Sequence, residues 1–561
     1  MIKFTFKLLN AKQKINFFLL LILAVFVACL ELLGIFSIFP FLSVIENPKI
    51  IKENIYLLKV FNFFNFKNEQ AFIQFLGICV ILLFLIRGIF SISLTALKMV
   101  FTRFFHKDLT FRLFQHYLNL EYLEFKKKKK SSSSEVLVNE TLYVSNSITD
   151  LVTFITELIL IILIFTALMV IDWKITLFSI SVLAFLGVFT IPITKSLSKV
   201  GIERAETQLK IFDTISETMN VFKGIKILSA IQLFKDRLTS NLKTFAKNQI
   251  YHGVLGEIPR YFIEITAVSF IMVSILILYD DGNNTSWVPV ISTLAISFYR
   301  LLPSINRLIN SYNQLKYNKR ASNLILEEFK GKIEVESTES IPFENQIVFK
   351  DISLSYGSKK ILDKVNLKIN RGEKIALVGP SGSGKTTFLD IFMGLIKPDN
   401  GDILVDNRPL NSSKIKSWRS KVGYLPQENY LLNASIEENI LFGRKKDNLK
   451  LENAIKLSFL DKDSFFEVES KNTIGDSGNK LSGGQKQRLM IARLAYGEPD
   501  ILILDEPTSA LDSENEEKIM NEVFNSFKNK TILVVSHRDK AINGCERSIK
   551  ICDGKVKEIN E

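Results

Sequence analysis

Apolar and polar positions divide this chain into two unlike halves. The first carries apolar runs of membrane length at Ile15–Val44, Ala71–Leu97, Leu151–Ile171, Ile175–Ile193, Ile258–Leu278 and Val288–Ile309, and a hydrocarbon core needs about 20 such residues per helix. Six spans place both termini on one side. The stretches after Lys98, at 195–220 and at 235–257 stay helix-friendly while turning polar, which predicts helices that run on past the bilayer. A polar linker, GKIEVESTESIPFENQ (331–346), closes this half. Beyond it the period shortens. IVFKDISLSY (347–356) and KVNLKI (364–369) read as strands, and KIALV (374–378), ILIL (501–504) and TILVVS (531–536) as buried strands. TFLDIFMGLI (387–396) reads as a helix. The expected fold is an all-α six-helix transmembrane domain over 1–330, a linker over 331–346 and an α/β domain over 347–561.

Charge sets the orientation. The chain of 561 residues has a formal net charge of +13 and a mean hydropathy of +0.19. The basic residues flank apolar spans, as at Lys3, Lys7, Lys12, Lys14 and from Lys98 to Lys130. That suits the positive-inside rule better than nucleic-acid binding, and it makes the termini cytoplasmic. The loops 45–70, the turn at Asp172–Trp173 and YDDGNNTSW (279–287) are then external. Trp173 and Trp287 read as interface anchors. The first apolar run is too long for a signal peptide and has no small-residue cleavage site, so it reads as a retained helix. Cys29, Cys79, Cys545 and Cys552 form no CxxC pattern and read as reduced thiols. KKKKKSSSS (126–134) reads as a solvated loop rather than a lipid-binding patch.

The second half carries the chemistry. GPSGSGKTT (379–387) follows a predicted strand and opens a predicted helix, the setting of a P-loop. Gly379, Pro380, Ser381, Gly382, Ser383 and Gly384 form a loop whose backbone N–H groups can curl around phosphate oxygens, and Thr387 continues into the helix. Lys385 reaches the β- and γ-phosphates, and Thr386 places a hydroxyl at Mg²⁺. About a hundred residues on come LSGGQ (481–485) and ILILDEP (501–507).

These motifs together resemble the ATP-binding-cassette (ABC) superfamily, with the membrane half of its exporter branch. The resemblance implies ATP and Mg²⁺ as cofactors. It puts Tyr356 against adenine, and Gln427 of YLPQE at Mg²⁺ and the γ-phosphate. Asp505 binds the metal, Glu506 polarises the attacking water, and His537 holds the γ-phosphate and Glu506 in register. In this family Ser482, Gly483, Gly484 and Gln485 close over the P-loop of another ATPase domain. A chain with one such domain is therefore expected to act as a homodimer with two competent sites. SALD (509–512) resembles the D-loop, and GDSG (475–478) the X-loop, with Asp476 where Glu is usual. YLEF (122–125) and VFKGIKIL (221–228) lie where the coupling helices dock.

The sixth span reads SFYRLLPSINRLINSYNQL (297–315), and Arg300, Ser304, Arg307, Ser311 and Gln314 mark one helix face. Arg300 lies roughly 20 Å below Trp287, too deep to snorkel outward. Arg87 and Arg260 fall in the inner halves of their spans. Buried arginines face a cavity or a partner. For Arg87 and Arg300 the pore is the favoured reading. Arg260 and Arg307 read equally as interface anchors, and an ion pair with Glu31 or Glu264 is the bland alternative. A cavity of this charge suits an anionic amphiphile. YRLLPSINRLINSY (299–312), PRYFIE (259–264) and Arg87 resemble PglK-type flippases of lipid-linked oligosaccharides. That resemblance implies a lipid with a phosphate or pyrophosphate head, a multi-pass protein of the bacterial cytoplasmic (inner) membrane, and substrate engagement by the external segment NIYLLKVFNFFNF (54–66). A multidrug, lipid A or peptide exporter and an ATP-gated regulator or channel remain the alternatives.

Overall fold

A computed structural model describes residues 6–171, 173–279, 287–334, 339–460, 473–507, 513–536, 542 and 544–559. Two compact units emerge: Met1–Asn119 with Lys126–Gly331, and Leu120–Phe125 with Lys332–Glu561.

Among the described residues of the first unit, six long helices follow the expected spans. They are α1 (Ala11–Glu46), α2 (Glu69–Leu118), α3 (Thr141–Ile171), α4 (Trp173–Asn220), α5 (Ile231–Tyr279) and α6 (Trp287–Tyr317). Asn10 starts α1 with a reciprocal cap: its side chain accepts from Gln13 N at 2.8 Å, and Gln13 Oε1 accepts from Asn10 N at 3.0 Å. Pro40, Pro259 and Pro303 sit inside α1, α5 and α6, which neighbouring helices make tolerable in a membrane. Among the described residues, α1, α2 and the stretch Ser132–Met169 are long and apolar enough to cross a membrane. The other three expected spans lie on α4, α5 and α6, where many side chains fall outside the described residues. Ala28, Ile35, Leu160, Ile164, Leu168, Leu301 and Ile305 form one apolar core between α1, α3 and α6.

Long helices continue past the apolar runs, as expected, and pack on a buried ion pair. Arg204 on α4 donates to Glu140 at 2.8 Å, both side chains being fully buried. Its guanidinium lies 3.9 Å from the Tyr143 ring centre. A single π-turn, Val136–Glu140, leads into α3 and carries Glu140. At Gly201 a Cβ would stand 2.2 Å from the Tyr317 carbonyl, so α4 and α6 meet backbone to backbone. The Lys/Ser run is a solvated loop only in part. Lys127 and Lys129 lie outside helices and are exposed, as expected, whereas Lys130–Glu135 is helical. Lys128 pairs with Glu328, and Lys129 pairs with Asp213 at 3.3 Å.

The second unit holds two sheets. The first is antiparallel, in the order β2-β1-β4-β5, built from β1 (Gln346–Tyr356), β2 (Lys359–Asn370), β4 (Asn400–Val405) and β5 (Arg408–Pro409). The second runs β10-β9-β3-β8-β7-β6, from β3 (Lys374–Val378), β6 (Val422–Leu425), β7 (Ile501–Asp505), β8 (Thr531–Val535), β9 (Arg547–Cys552) and β10 (Lys555–Ile559). It is parallel except for the β9–β10 pair. Period-2 alternation assigns its side chains to two cores. Ile501, Ile503, Leu533 and Val535 face one core, and Leu502, Leu504, Ile532 and Val534 the other. Strands buried on both faces are what a parallel sheet requires. Leu120–Phe125 belongs to this unit: Leu120 bridges Ile333, and Tyr122 and Leu123 pack on the first core.

Candidate functional site

The expected phosphate loop joins β3 to helix α7 (Lys385–Phe392). Gly379 permits its path, since a Cβ there would lie 2.3 Å from the Ile551 carbonyl of neighbouring β9. Gly384 caps α7 with φ +103, a conformation that glycine adopts without strain. Lys385 is folded onto the loop, donating to the Gly379 carbonyl at 2.6 Å and the Pro380 carbonyl at 3.0 Å. Burial lowers its pKa, opposed by the charges of Glu506 and Asp505. Tyr356 ends β1 and is exposed.

The carboxylates arrive from β7. Leu377 on β3 and Asp505 on β7 both flank Val535 on β8. The strand order thus sets Asp505 two strands, roughly 10 Å, from the root of the loop. Tyr424 on β6 donates to Asp505 at 3.2 Å. Burial raises the Asp505 carboxyl pKa, and the adjacent Glu506 charge adds to the effect. Glu506 stands at φ +46, with its N–H bonded to the Val535 carbonyl at 2.8 Å. Strained backbone of this kind persists only where the surroundings over-determine it. Gln427 donates to Glu506 at 2.6 Å.

These residues fit a magnesium–nucleotide complex. The Ser383 hydroxyl is buried without a hydrogen-bond partner, at the head of a loop of N–H donors. Two adjacent carboxylates, one raised by burial and repulsion, suit a divalent cation. Among the described residues no cluster of three or more His, Cys, Asp or Glu that could hold a metal ion occurs.

The signature segment opens α8 (Gly483–Tyr496). Ser482 accepts from Gln485 N at 3.3 Å, and Gln485 Oε1 accepts from Ser482 N at 2.8 Å. Apart from its own helix backbone and chain neighbours, no heavy atom of the described residues lies within 4 Å of where a Cβ on Gly484 would be. The helix N-terminus suits an anion. Leu489, Met490, Ile491 and Leu494 of α8 belong to one core of the sheet, whereas Phe388, Leu389 and Ile391 of α7 belong to the other. The signature helix α8 and helix α7 therefore pack on opposite faces of one sheet. Asp476 accepts from Asn433 at 2.8 Å. His537 and 509–512 lie outside the described residues.

Sequence reasoning missed the supports. Gln487 donates to the Pro507 carbonyl, just past Glu506. Arg493 donates to the carbonyls of Asn439 at 2.8 Å and Tyr430 at 2.9 Å, tying the segment after Gln427 to α8. Both fall on the buried face of an amphipathic helix, where a polar side chain is itself the signal.

The described membrane arginines are ion-paired. Arg87 meets Glu31, one of its two candidate partners, at 2.8 Å. Arg260 pairs along its own helix with Glu264 at 3.0 Å and Glu257 at 3.6 Å, and is half exposed. Arg307 meets Glu157 at 2.5 Å, a partner that sequence reasoning did not name. Arg300 lies on α6, but its side chain is outside the described residues.

Comparison with known proteins follows the same division. Residues 17–279 match the ABC transporter transmembrane region, and 362–509 match the ABC transporter family. An ATP-dependent lipid A-core flippase of Burkholderia orbicola is 27% identical over 86% of this chain and 83% of its own length. That of Desulfotalea psychrophila is 26% identical over 88% and 87%. Mouse ATP-binding cassette sub-family B member 5 is 40% identical, over 38% of this chain and 18% of its own. A bacterial Atm1-family ABC exporter solved with ATP bound superposes with a TM-score of 0.78 at 17% identity, covering 98% of this chain and 94% of that one. A transmembrane region and an ATPase domain on one polypeptide, in the exporter fold, make this chain a member of the ABC transporters.

Proposed function

We propose that the protein is a homodimeric, ATP-driven exporter that moves a phosphorylated amphiphile across the bacterial inner membrane. The observation that carries the substrate class is the set of arginines, Arg87 and Arg307, held on carboxylates inside a largely apolar bundle. Such charges are costly there unless function retains them. A lipid-linked oligosaccharide with a pyrophosphate head is one substrate of this chemistry. Lipid A is another, and the names of the relatives favour it.

Magnesium-bound ATP, when held by this domain, supplies the phosphoryl group whose transfer to water drives transport. The loop 379–384 and Lys385 cradle phosphate oxygens. Thr386, Asp505 and Gln427 hold the metal, Tyr356 stacks on the base, and Glu506 orients and polarises water. Ser482, Gly483, Gly484 and Gln485 close over the partner's phosphate loop. The packing of α7 and α8 on opposite faces of the sheet supports this, because it sets the two helices apart within one chain. The direct test is ATP-dependent flipping in proteoliposomes with three labelled probes: a polyprenyl-diphosphate oligosaccharide, lipid A and an uncharged lipophilic dye. Preference for the dye would refute the anionic reading, and the first two probes decide between glycolipids.

A further inference from the structure

Glu506 holds a backbone conformation that its residue type disfavours, with φ +46. Two backbone hydrogen bonds flank the strain. Glu506 N donates to the Val535 carbonyl at 2.8 Å, and the carbonyl of the next residue, Pro507, accepts from the Gln487 side-chain amide. Peptide planes are rigid, and the proline ring fixes its own φ. Between the two clamps only φ and ψ of Glu506 and ψ of Pro507 stay soft. Strand β8 holds one end of the short segment that aims the carboxylate, and Gln487 holds the other.

Gln487 is buried on α8, one turn before Met490 and Ile491. Those two share a core with Leu502 and Leu504 of β7, the strand that ends at Asp505. A buried amide needs a partner, and this one takes the carbonyl beside the expected base. Arg493, also buried, lies six residues farther along α8. It donates to the Tyr430 carbonyl at 2.9 Å. Tyr430 stands three residues after Gln427, whose amide meets the Glu506 carboxylate at 2.6 Å. The backbone and the side chain of Glu506 are thus both tied to α8. Ser482 caps the same helix, and Gln487 stands about 7.5 Å along the axis from it. A turn and a half of hydrogen-bonded helix joins the two, so they move as one body.

We propose that Gln487 is a positioning residue for Glu506 of its own chain, so that the helix whose signature meets the partner's nucleotide also sets the base that serves its own phosphate loop. The first half of this statement rests on the reading of Glu506 as the base. The second rests on the reading of the ATP site as shared between two chains.

The test uses the full-length dimer in nanodiscs. Gln487→Met keeps the length and the apolar packing and removes the donor. In the homodimer it lowers kcat about tenfold, the scale of one lost hydrogen bond, while the KM for ATP stays near wild type. Gln487→Asn, one methylene short of the carbonyl, does the same with the amide retained. Tagged heterodimers then show whose base is affected. Lys385→Ala on one chain leaves a single working site, on the other chain's loop and Glu506, read as phosphate release in a single turnover. Gln487→Met on the chain with the working loop lowers that rate about tenfold. Gln487→Met on the chain with Lys385→Ala leaves it unchanged. An equal loss in both arrangements marks Gln487 as a support of the fold, and a loss only in the second marks it as acting on the partner's nucleotide. Either result, or an unchanged kcat in the homodimer, overturns the proposal. The two underlying readings are checked separately. Near-normal turnover of Glu506→Gln overturns the base. An inactive heterodimer of Lys385→Ala with Ser482→Arg overturns the shared site, and with it the link to the partner, while the first pair of heterodimers still decides the own-chain role.

Discussion

Gln427 donates its side-chain amide to the Glu506 carboxylate at 2.6 Å. The first residue follows edge strand β6, and the second directly follows β7 in left-handed backbone. One hydrogen bond thus joins the expected metal-sensing amide to the expected general base. The segment after Gln427, which Arg493 ties to the signature helix, is linked to the Glu506 carboxylate through it.

Glu506→Gln is expected to keep ATP binding and lose steady-state turnover by at least about a hundredfold, the scale of a positioned general base. The neutral amide keeps the shape and removes the charge that polarises water. Nucleotide trapping and phosphate release in liposomes check both halves. Near-normal turnover would remove Glu506 from the chemistry.

Arg204→Ala should destabilise the helical unit by about 3–5 kcal/mol, because it leaves the fully buried Glu140 carboxylate without its counter-charge. Replacing both, as Arg204→Met with Glu140→Leu, should recover most of that loss. Thermal melting of the detergent-solubilised protein separates the two. If the double variant melts no higher than Arg204→Ala, something other than the uncompensated charge carries the effect.

The sequence foretold these elements unevenly, for physical reasons. Apolar runs of membrane length and period-2 strands are local signals, so α1–α6 and β3, β7 and β8 were legible from spacing alone. The phosphate loop was legible because its glycines answer a steric need, visible where a Cβ at Gly379 meets Ile551. Ion pairs are not local. Glu157 and Arg307 lie 150 positions apart, and nothing at either position names the other. The same holds for Lys128 with Glu328 and Lys129 with Asp213, pairs that no local signal names. The left-handed backbone of Glu506 is likewise imposed by β8 and has no signature in DEP.

Gly379→Ala is expected to abolish ATP binding without unfolding the helical unit. The added methyl would sit 2.3 Å from the Ile551 carbonyl, so either β9 moves or the loop does. A fluorescent nucleotide titration reads the first effect and α-helical circular dichroism the second. Retained nucleotide affinity would show that the loop tolerates a different path.

The composite site gives the most decisive experiment. In the proposed complete site the phosphate loop of one chain meets the signature of its partner; within one chain α7 and α8 pack on opposite faces of the sheet. Lys385→Ala removes the charge that meets phosphate, and Ser482→Arg blocks the signature face. Each homodimer then carries two damaged sites. A heterodimer of the two variants holds one site with both lesions and one with neither. Tandem affinity tags isolate that heterodimer, and its ATPase activity should return to about half of wild type if the sites act independently. Cooperative sites would give less turnover, while nucleotide trapping would still find one occupied site per dimer. Isolated heterodimers with neither turnover nor trapping would exclude a site shared between chains.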